Sequence, residues 1–558
     1  MADPFSLSHD LVEEWLVLDP ILATLAGVPG HDHRWPDLGP DGMAAEQALV
    51  ERYLGLFEPH LNHPDRWQRL AATIAHAYLR ERHAQFAAGD HLYDVSHMGS
   101  SFDFIRSVFD LMDTARTEGW EAICARLGGM DTLFDGYRAK LDVAMAAGKV
   151  ATQRQTRSLI AQSRELGGED SSLIGLVAQA PGIAPADLVQ RLTVAVESAR
   201  AACRAFADHL ETAYLPAAGD VDGVGVDRYR RAADAEVGLD IDPHEVYRWG
   251  WQELGRILTE MERVGAEILP GASVRQVADL LESDPTRAAP NRAAFVEFVQ
   301  ARQTQALADL DGPHFDVPDA IKAVSVNIAP PGGPLGAYYM GPSEDFVTRP
   351  GGIWYSLPPE DGPIPLYQEV STAYHEGFPG HHLQVALVMT FAERLSRFHR
   401  LVVWYAGYGE GWALYTERLM HELGYFEKPD YVFGMLASHV FRAARVVVDI
   451  GLHLGLRIPD DAPLHAGSHW DYDKAVDYMM QIGLQPGAYA ESEVQRYLGW
   501  PGQAISYKVG EREILALRDE LRRRLGDDFD LKDFHARVLG HGEMRLDLLR
   551  RVVLEGWE

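Results

Sequence analysis

Cysteine is nearly absent: the 558 residues carry two, Cys124 and Cys203. Each lies in a helical apolar pattern, so no disulfide framework or thiolate metal site is expected and both read as core. Positive charge is scarce as well. Lys and Arg number 51 against 82 Asp and Glu, a formal net charge of −31. Nucleic acid and anionic membrane surfaces both demand clustered cations, so neither is expected as a partner. No apolar run approaches the ~20 residues that span a bilayer. The N-terminal stretch Met1-Ala2-Asp3-Pro4-Phe5-Ser6 has no basic region and no continuous apolar region to direct secretion. The expected location is the cytoplasm.

What is present is ordinary globular composition, with 47% apolar, 24% charged and 10% aromatic residues. The length exceeds one compact core, so a bilobed or multi-subdomain protein is expected. From about residue 8 to 310 apolar positions recur at three and four, as in Leu70, Ile74, Ala77 and Tyr78, or Leu188, Leu192, Ala195 and Val196. Asp242-Pro243-His244-Glu245 is a helix start, with an acidic cap and proline at the first position. The pattern predicts a helical N-terminal lobe over 1–310 and a catalytic lobe over 311–558. Between about 311 and 365 proline and glycine become dense (Pro330-Pro331-Gly332-Gly333-Pro334). Short β-prone runs at 323–328, 336–340 and 352–357 predict a small sheet at about 320–360. An edge strand there is suited to holding an extended peptide by main-chain hydrogen bonds, and a purely structural sheet is the alternative. Helical texture then resumes to the C-terminus, with breaks around 456–470 and 499–503. The fold class is mainly α with one small sheet.

The chemistry concentrates in His375-Glu376-Gly377-Phe378-Pro379-Gly380-His381-His382. Imidazoles beside a carboxylate are the first requirement of a catalytic zinc site with its own general base. In His-Glu-x-x-His the two imidazoles lie one helical turn apart, whereas here they are six and seven residues apart. On a straight helix that is an axial offset of ~9–10.5 Å, too far for one ion. Pro379 cannot continue a helix, and Gly380 tolerates any backbone conformation. A two-residue bulge at this pair would return His381 to the position of a second ligand. His375 and His381 are therefore the preferred ligands, with His382 as the alternative ligand or a supporting or substrate-facing residue. The third ligand is expected at Glu410, in the glycine-rich start of a helix, Gly407-Tyr408-Gly409-Glu410-Gly411. Glu417, two turns on, shares its face and can receive the free N–H of a ligand imidazole. Glu376 is the expected general base.

Further candidates line the expected cleft. Arg442, Arg445, Asp449 and His453 recur at three and four on one helix, either as a cleft face or as an ordinary ion-pair ladder. Of these, Arg445 is assigned to substrate and His453 to catalysis. Tyr507 is placed to stabilise an oxyanion, Arg349 to hold a substrate carboxylate, and Tyr339 to contact substrate. Glu493 and Arg496 are expected to pair near the site.

Three segments in order resemble the bacterial DUF885 family, named for its unknown function: 375–382, Gly409-Glu410-Gly411-Trp412-Ala413-Leu414-Tyr415-Thr416-Glu417, and Pro501-Gly502-Gln503-Ala504-Ile505-Ser506-Tyr507-Lys508-Val509-Gly510. The likeness runs nearly end to end, from 20–27 to 534–539. That family in turn looks like a distant relative of helical zinc peptidases of the thimet oligopeptidase and Taq carboxypeptidase kind, an analogy resting on the His-Glu and Glu pattern. The resemblance implies a bilobed, mostly helical zinc-peptidase-like fold with a small sheet beside the active-site cleft. The Pro-Gly insertion is where this chain departs from the peptidase pattern. Many members of the family look like lipoproteins, whereas the N-terminal stretch here carries no such signal.

The leading expectation is a hydrolase with one zinc ion acting on peptides or other amides, with a small molecule or short peptide as substrate. A metal-dependent non-peptide enzyme of specialised metabolism would carry the same metal residues. A metal-stabilised binding protein without turnover would have no use for Glu376.

Overall fold

In the computed structural model, which describes residues 3–329, 336–347, 349, 351–358 and 361–557, helices and strands follow the changes in sequence texture. The proline- and glycine-rich run 330–334 lies outside the described residues. The chain divides into two compact units. One runs to Asp222 and takes in Ser396–Val402; the other comprises Gly223–Leu395 and Val403–Glu558. The division thus falls near residue 222, whereas sequence texture puts it near 310. Texture changes where strands begin, and the helices between 223 and 310 are no different in pattern from those before them.

The first unit is helical. Its core is aromatic: Phe206 stacks on Phe134 and on Tyr137 with ring centroids 4.8 Å apart in both pairs. Phe398, on the returning segment, packs edge-on against Tyr78 at 5.5 Å.

The second unit is built on long helices. Pro243–Ile268 starts as its sequence predicts, with the Asp242 carboxylate accepting the His244 N–H at 2.9 Å. It packs along Pro429–Leu454. That helix is long and apolar enough to cross a membrane by composition, but 83% of its apolar window is buried inside the unit, so it is a core helix. Ala406–Glu422 lies against Ser506–Leu525 at very short range. A Cβ on Gly510 would come within 2.0 Å of the Gly407 carbonyl, and one on Gly411 within 2.5 Å of the Gly510 carbonyl carbon. Only glycine admits that approach, and it carries Glu410 and Tyr507 to one place.

Two small sheets complete the unit. β1 (Ala288–Ala289) pairs antiparallel with β5 (Ile364–Pro365). β2 (Ser325–Ile328), β4 (Gly352–Tyr355) and β3 (Ala337–Met340) form a three-stranded sheet in that order. β2 runs parallel to β4, and β3 antiparallel with Ala337 opposite Tyr355. Ile353 and Tyr355 point to one face, as period-two geometry requires, and Tyr355 meets Phe295 edge-on at 5.0 Å. β3 is an edge strand of this sheet.

Candidate metal centre and its cavity

The helix Glu369–Glu376 ends at the residue after His375, and a new helix, His381–Met389, begins at His381. The bulge expected from sequence is therefore a full break between two helices. Pro379 has no N–H to continue the first helix, and Gly380 crosses it so closely that a Cβ there would lie 2.0 Å from the His375 carbonyl oxygen. The break is stapled from outside. Gln303 donates its amide to the Ala373 carbonyl and accepts the Phe378 N–H, both at 2.7 Å, and the Trp412 indole donates to the Pro379 carbonyl at 3.0 Å. The bonds to Phe378 and Pro379 serve backbone groups within the break, and the Ala373 carbonyl also accepts the Gly377 N–H at 3.0 Å. Gln303 has no signal in the sequence, because it is one polar residue in an ordinary helix, Arg292–Leu310.

Across this break the two imidazoles meet edge to face with centroids 4.9 Å apart. The Nε2 atoms of His375 and His381 each lie 3.4 Å from Oε2 of Glu410. These three side chains place one donor atom each within 4.8 Å of one another. The Glu410 oxygen is buried and makes no hydrogen bond. Two imidazole nitrogens and an orphaned carboxylate oxygen lie close enough together to hold a metal ion, and they are donor types that zinc accepts. Glu417 lies behind it, fully buried, with Oε1 receiving the His375 Nδ1–H at 2.7 Å. Its other oxygen accepts from Ser371 and sits 3.6 Å from His439 Nε2. His439 is a supporting residue that spacing did not reveal.

The imidazoles and carboxylates are strongly coupled. Burial works against an imidazolium at His375, yet the carboxylates of Glu410 and Glu417 raise it to about 9. Burial likewise opposes ionisation of Glu417, but the hydrogen bond from His375 and the charge of Arg442 hold it at about 2. Glu410, buried but facing both imidazoles, stays well below the usual carboxylate range. At Glu376 burial prevails over the attraction of the imidazoles and raises the carboxyl.

Other assigned residues separate into two groups. His382 is not in the donor set. Its Nε2–H donates to the Ile321 carbonyl at 2.8 Å and its Nδ1 accepts from the Tyr339 hydroxyl at 3.0 Å, which leaves no nitrogen for an ion. Glu376, Tyr339, Tyr507 and Arg445 line one cavity of about 930 Å³ together with His375, His381 and Glu410. The outer strand β3 contributes Ala337 and Tyr338 to the same wall. Trp404, 47% exposed, borders it with its ring 6.2 Å from His381. Tyr507 stacks on His375 at 6.4 Å, and burial and the nearby Glu410 charge raise its phenol.

His453 and Arg349 are not brought to the cavity. His453 lies eight residues beyond Arg445, ~12 Å along the helix. It is buried, hydrogen-bonded to the Tyr497 carbonyl at 3.0 Å and 3.4 Å from Asp449. Asp449 in turn accepts from Tyr229 at 2.6 Å, so this end of the helix face is structural. Arg349 donates Nε to the Gly341 carbonyl at 3.0 Å, and its backbone brackets Ser343, which closes its own loop. Glu493 pairs with Arg496 at 2.9 Å and with Arg445 at 2.7 Å.

Two solved structures share this fold over essentially their whole length. The crystal structure from Colwellia psychrerythraea is 23% identical, with a TM-score of 0.86, covering 99% of this chain and 98% of its own. One from Shewanella oneidensis is 18% identical, with a TM-score of 0.75, covering 99% and 100%. Both bear the description "putative lipoprotein", the second "of unknown function". Lipoproteins are membrane-anchored, so the cytoplasmic expectation does not stand, and no compartment is assigned. No curated protein matches the chain. The family model that does match spans residues 20–553, and the chain belongs to DUF885, bacterial proteins of unknown function.

Proposed function

We propose that the chain is a zinc-dependent hydrolase of peptides or other amides. The observation that carries this reading is the convergence of His375, His381 and Glu410 at a cavity that Glu376 also lines. His375, His381 and Glu410 would hold a zinc ion, which would supply Lewis-acid chemistry at a bound water and a substrate carbonyl. Glu376, its carboxyl raised by burial, accepts the proton of the attacking water and passes it to the departing amine. Tyr507 keeps its proton across the neutral range and offers an O–H to a developing oxyanion. Glu417 fixes the orientation of His375 through Nδ1. The outer strand β3 runs along the cavity wall, where an extended substrate would align beside it. A site closed for purely structural zinc would need a fourth protein ligand, and His382 has both nitrogens committed elsewhere.

Metal analysis of the purified protein is expected to find about one zinc per chain. Glu376→Gln is expected to keep the metal and lose hydrolysis of a mixed peptide library by ~10²-fold or more. Full activity in that variant, or in metal-free protein, overturns the reading. Cleavage of no peptide by the zinc-loaded protein shifts it to a non-peptide substrate.

A further inference from the structure

Three arginines on the cavity wall have no part in the chemistry described above: Arg442, Arg445 and Arg496. The helices Pro429–Leu454 and Gly487–Gly499 deliver them together. Arg445 and Arg496 share the single carboxylate of Glu493, at 2.7 and 2.9 Å. The charge of Arg442 is felt by Glu417 and Glu376 instead, and its Nη1 donates to the Ser438 carbonyl at 3.2 Å. Each arginine also keeps one nitrogen without a partner. Arg442 Nε, Arg445 Nη1 and Arg496 Nε are buried with no acceptor among the described residues. Arg445 is only 3% exposed, so its spare donor cannot simply turn to bulk water.

The guanidinium planes are held in place. The Arg445 guanidinium carbon lies 4.1 Å from the Phe441 ring centroid and 4.8 Å from that of Tyr507; Arg442 lies 5.5 Å from Tyr507. Tyr507 in turn stacks on His375 at 6.4 Å. The arginines are therefore one aromatic ring away from the ligand set, close enough for a single short substrate to reach both. Fixed guanidinium forks match a planar carboxylate. The geometry points to Arg442 and Arg445 as the pocket for a substrate's terminal carboxylate, which makes the protein an exopeptidase acting at the C-terminal end of short peptides. This assignment rests on the hydrolase reading for its chemistry, but not for its binding.

Binding tests it directly. The full-length, zinc-loaded Glu376→Gln protein is dialysed against two tetrapeptide libraries of identical sequences, one with free C-terminal acids and one with C-terminal amides. Acids are expected to be retained about tenfold or more over amides. Arg442→Met, which leaves the Glu493 pairs intact, is expected to erase that preference when compared with the parent at equal zinc loading and equal circular dichroism. Where that variant does not fold, Arg442→Lys keeps the charge without the fork and is expected to lower the preference. Equal retention of the two libraries, retention of neither, or an unchanged preference in the arginine variant overturns the carboxylate pocket. Incubating wild-type protein with both libraries reads hydrolysis separately. Acid-selective binding without cleavage removes the hydrolase and leaves the pocket; equal cleavage of acids and amides removes the pocket and leaves the hydrolase.

Discussion

His375 and His382 differ in what their second ring nitrogen meets. In His375 it meets the carboxylate of Glu417 at 2.7 Å, which sets the tautomer and leaves Nε2 free toward Glu410. In His382 both nitrogens are consumed, by Tyr339 and by the Ile321 carbonyl. Alanine at His381 is therefore expected to abolish stoichiometric zinc binding, and alanine at His382 to retain it, as read by metal content after dialysis against a weak chelator. The reverse pattern would transfer the ligand role to His382. Glu493 supports a pH prediction. Burial opposes its ionisation, but Arg445 and Arg496 outweigh it and hold the carboxyl at about 2 against an ordinary 4.5. A carboxylate depressed in the folded state stabilises above its unfolded pKa and loses that contribution as pH falls toward its folded one. Wild-type protein is thus expected to exceed Glu493→Gln by ~3 kcal/mol above pH 4.5. The gap should narrow toward pH 2 in denaturant titrations, and a gap independent of pH would remove the ion-pair explanation.

Among the elements, the break at residues 377–380 decides the most. Two short helices placed end to end converge on one point what a single helix would hold ~9 Å apart. The arrangement depends on a glycine with no room for a methyl group and on two staples from distant helices, Gln303 and Trp412. Gly380→Ala is expected to cost ~3 kcal/mol or more, because the atom it would meet is backbone and cannot swing aside. Zinc affinity should fall with it. Chemical denaturation and metal titration of the variant measure both, and a variant with unchanged stability and affinity would show that the break does not set the site. The same logic explains why Arg442 and Arg445 share the cavity while His453, on the same helix, does not. A helix face continues past the end of a cavity, and periodicity alone does not mark where the cavity stops.

For the molecule as a whole, His375, His381 and Glu410 are carried by helices that are packed on buried aromatic and glycine contacts, so the fold is expected to form without metal. Removing zinc with a chelator is expected to lower the melting temperature of the second unit by several degrees, a shift that grows with the logarithm of free zinc over its dissociation constant, and to leave the helical signal at 25 °C intact. Loss of helix on chelation would instead make the metal part of the fold.

Much of this protein was legible in one dimension. Apolar spacing marked helices, β-prone runs marked the three strands, and the residue types of the 375–382 and 409–417 segments named His375, His381, Glu410 and Glu417 as one set. Those signals are local, because periodicity, capping and donor chemistry are properties of neighbouring residues. The full break between the ligand helices, the commitment of His382, the withdrawal of Arg349 and His453, and the one spare donor each of Arg442 and Arg445 depend on contacts between residues far apart in the chain. Only the tertiary structure decides them, since it fixes which partner each polar atom meets and which atoms are left facing the cavity.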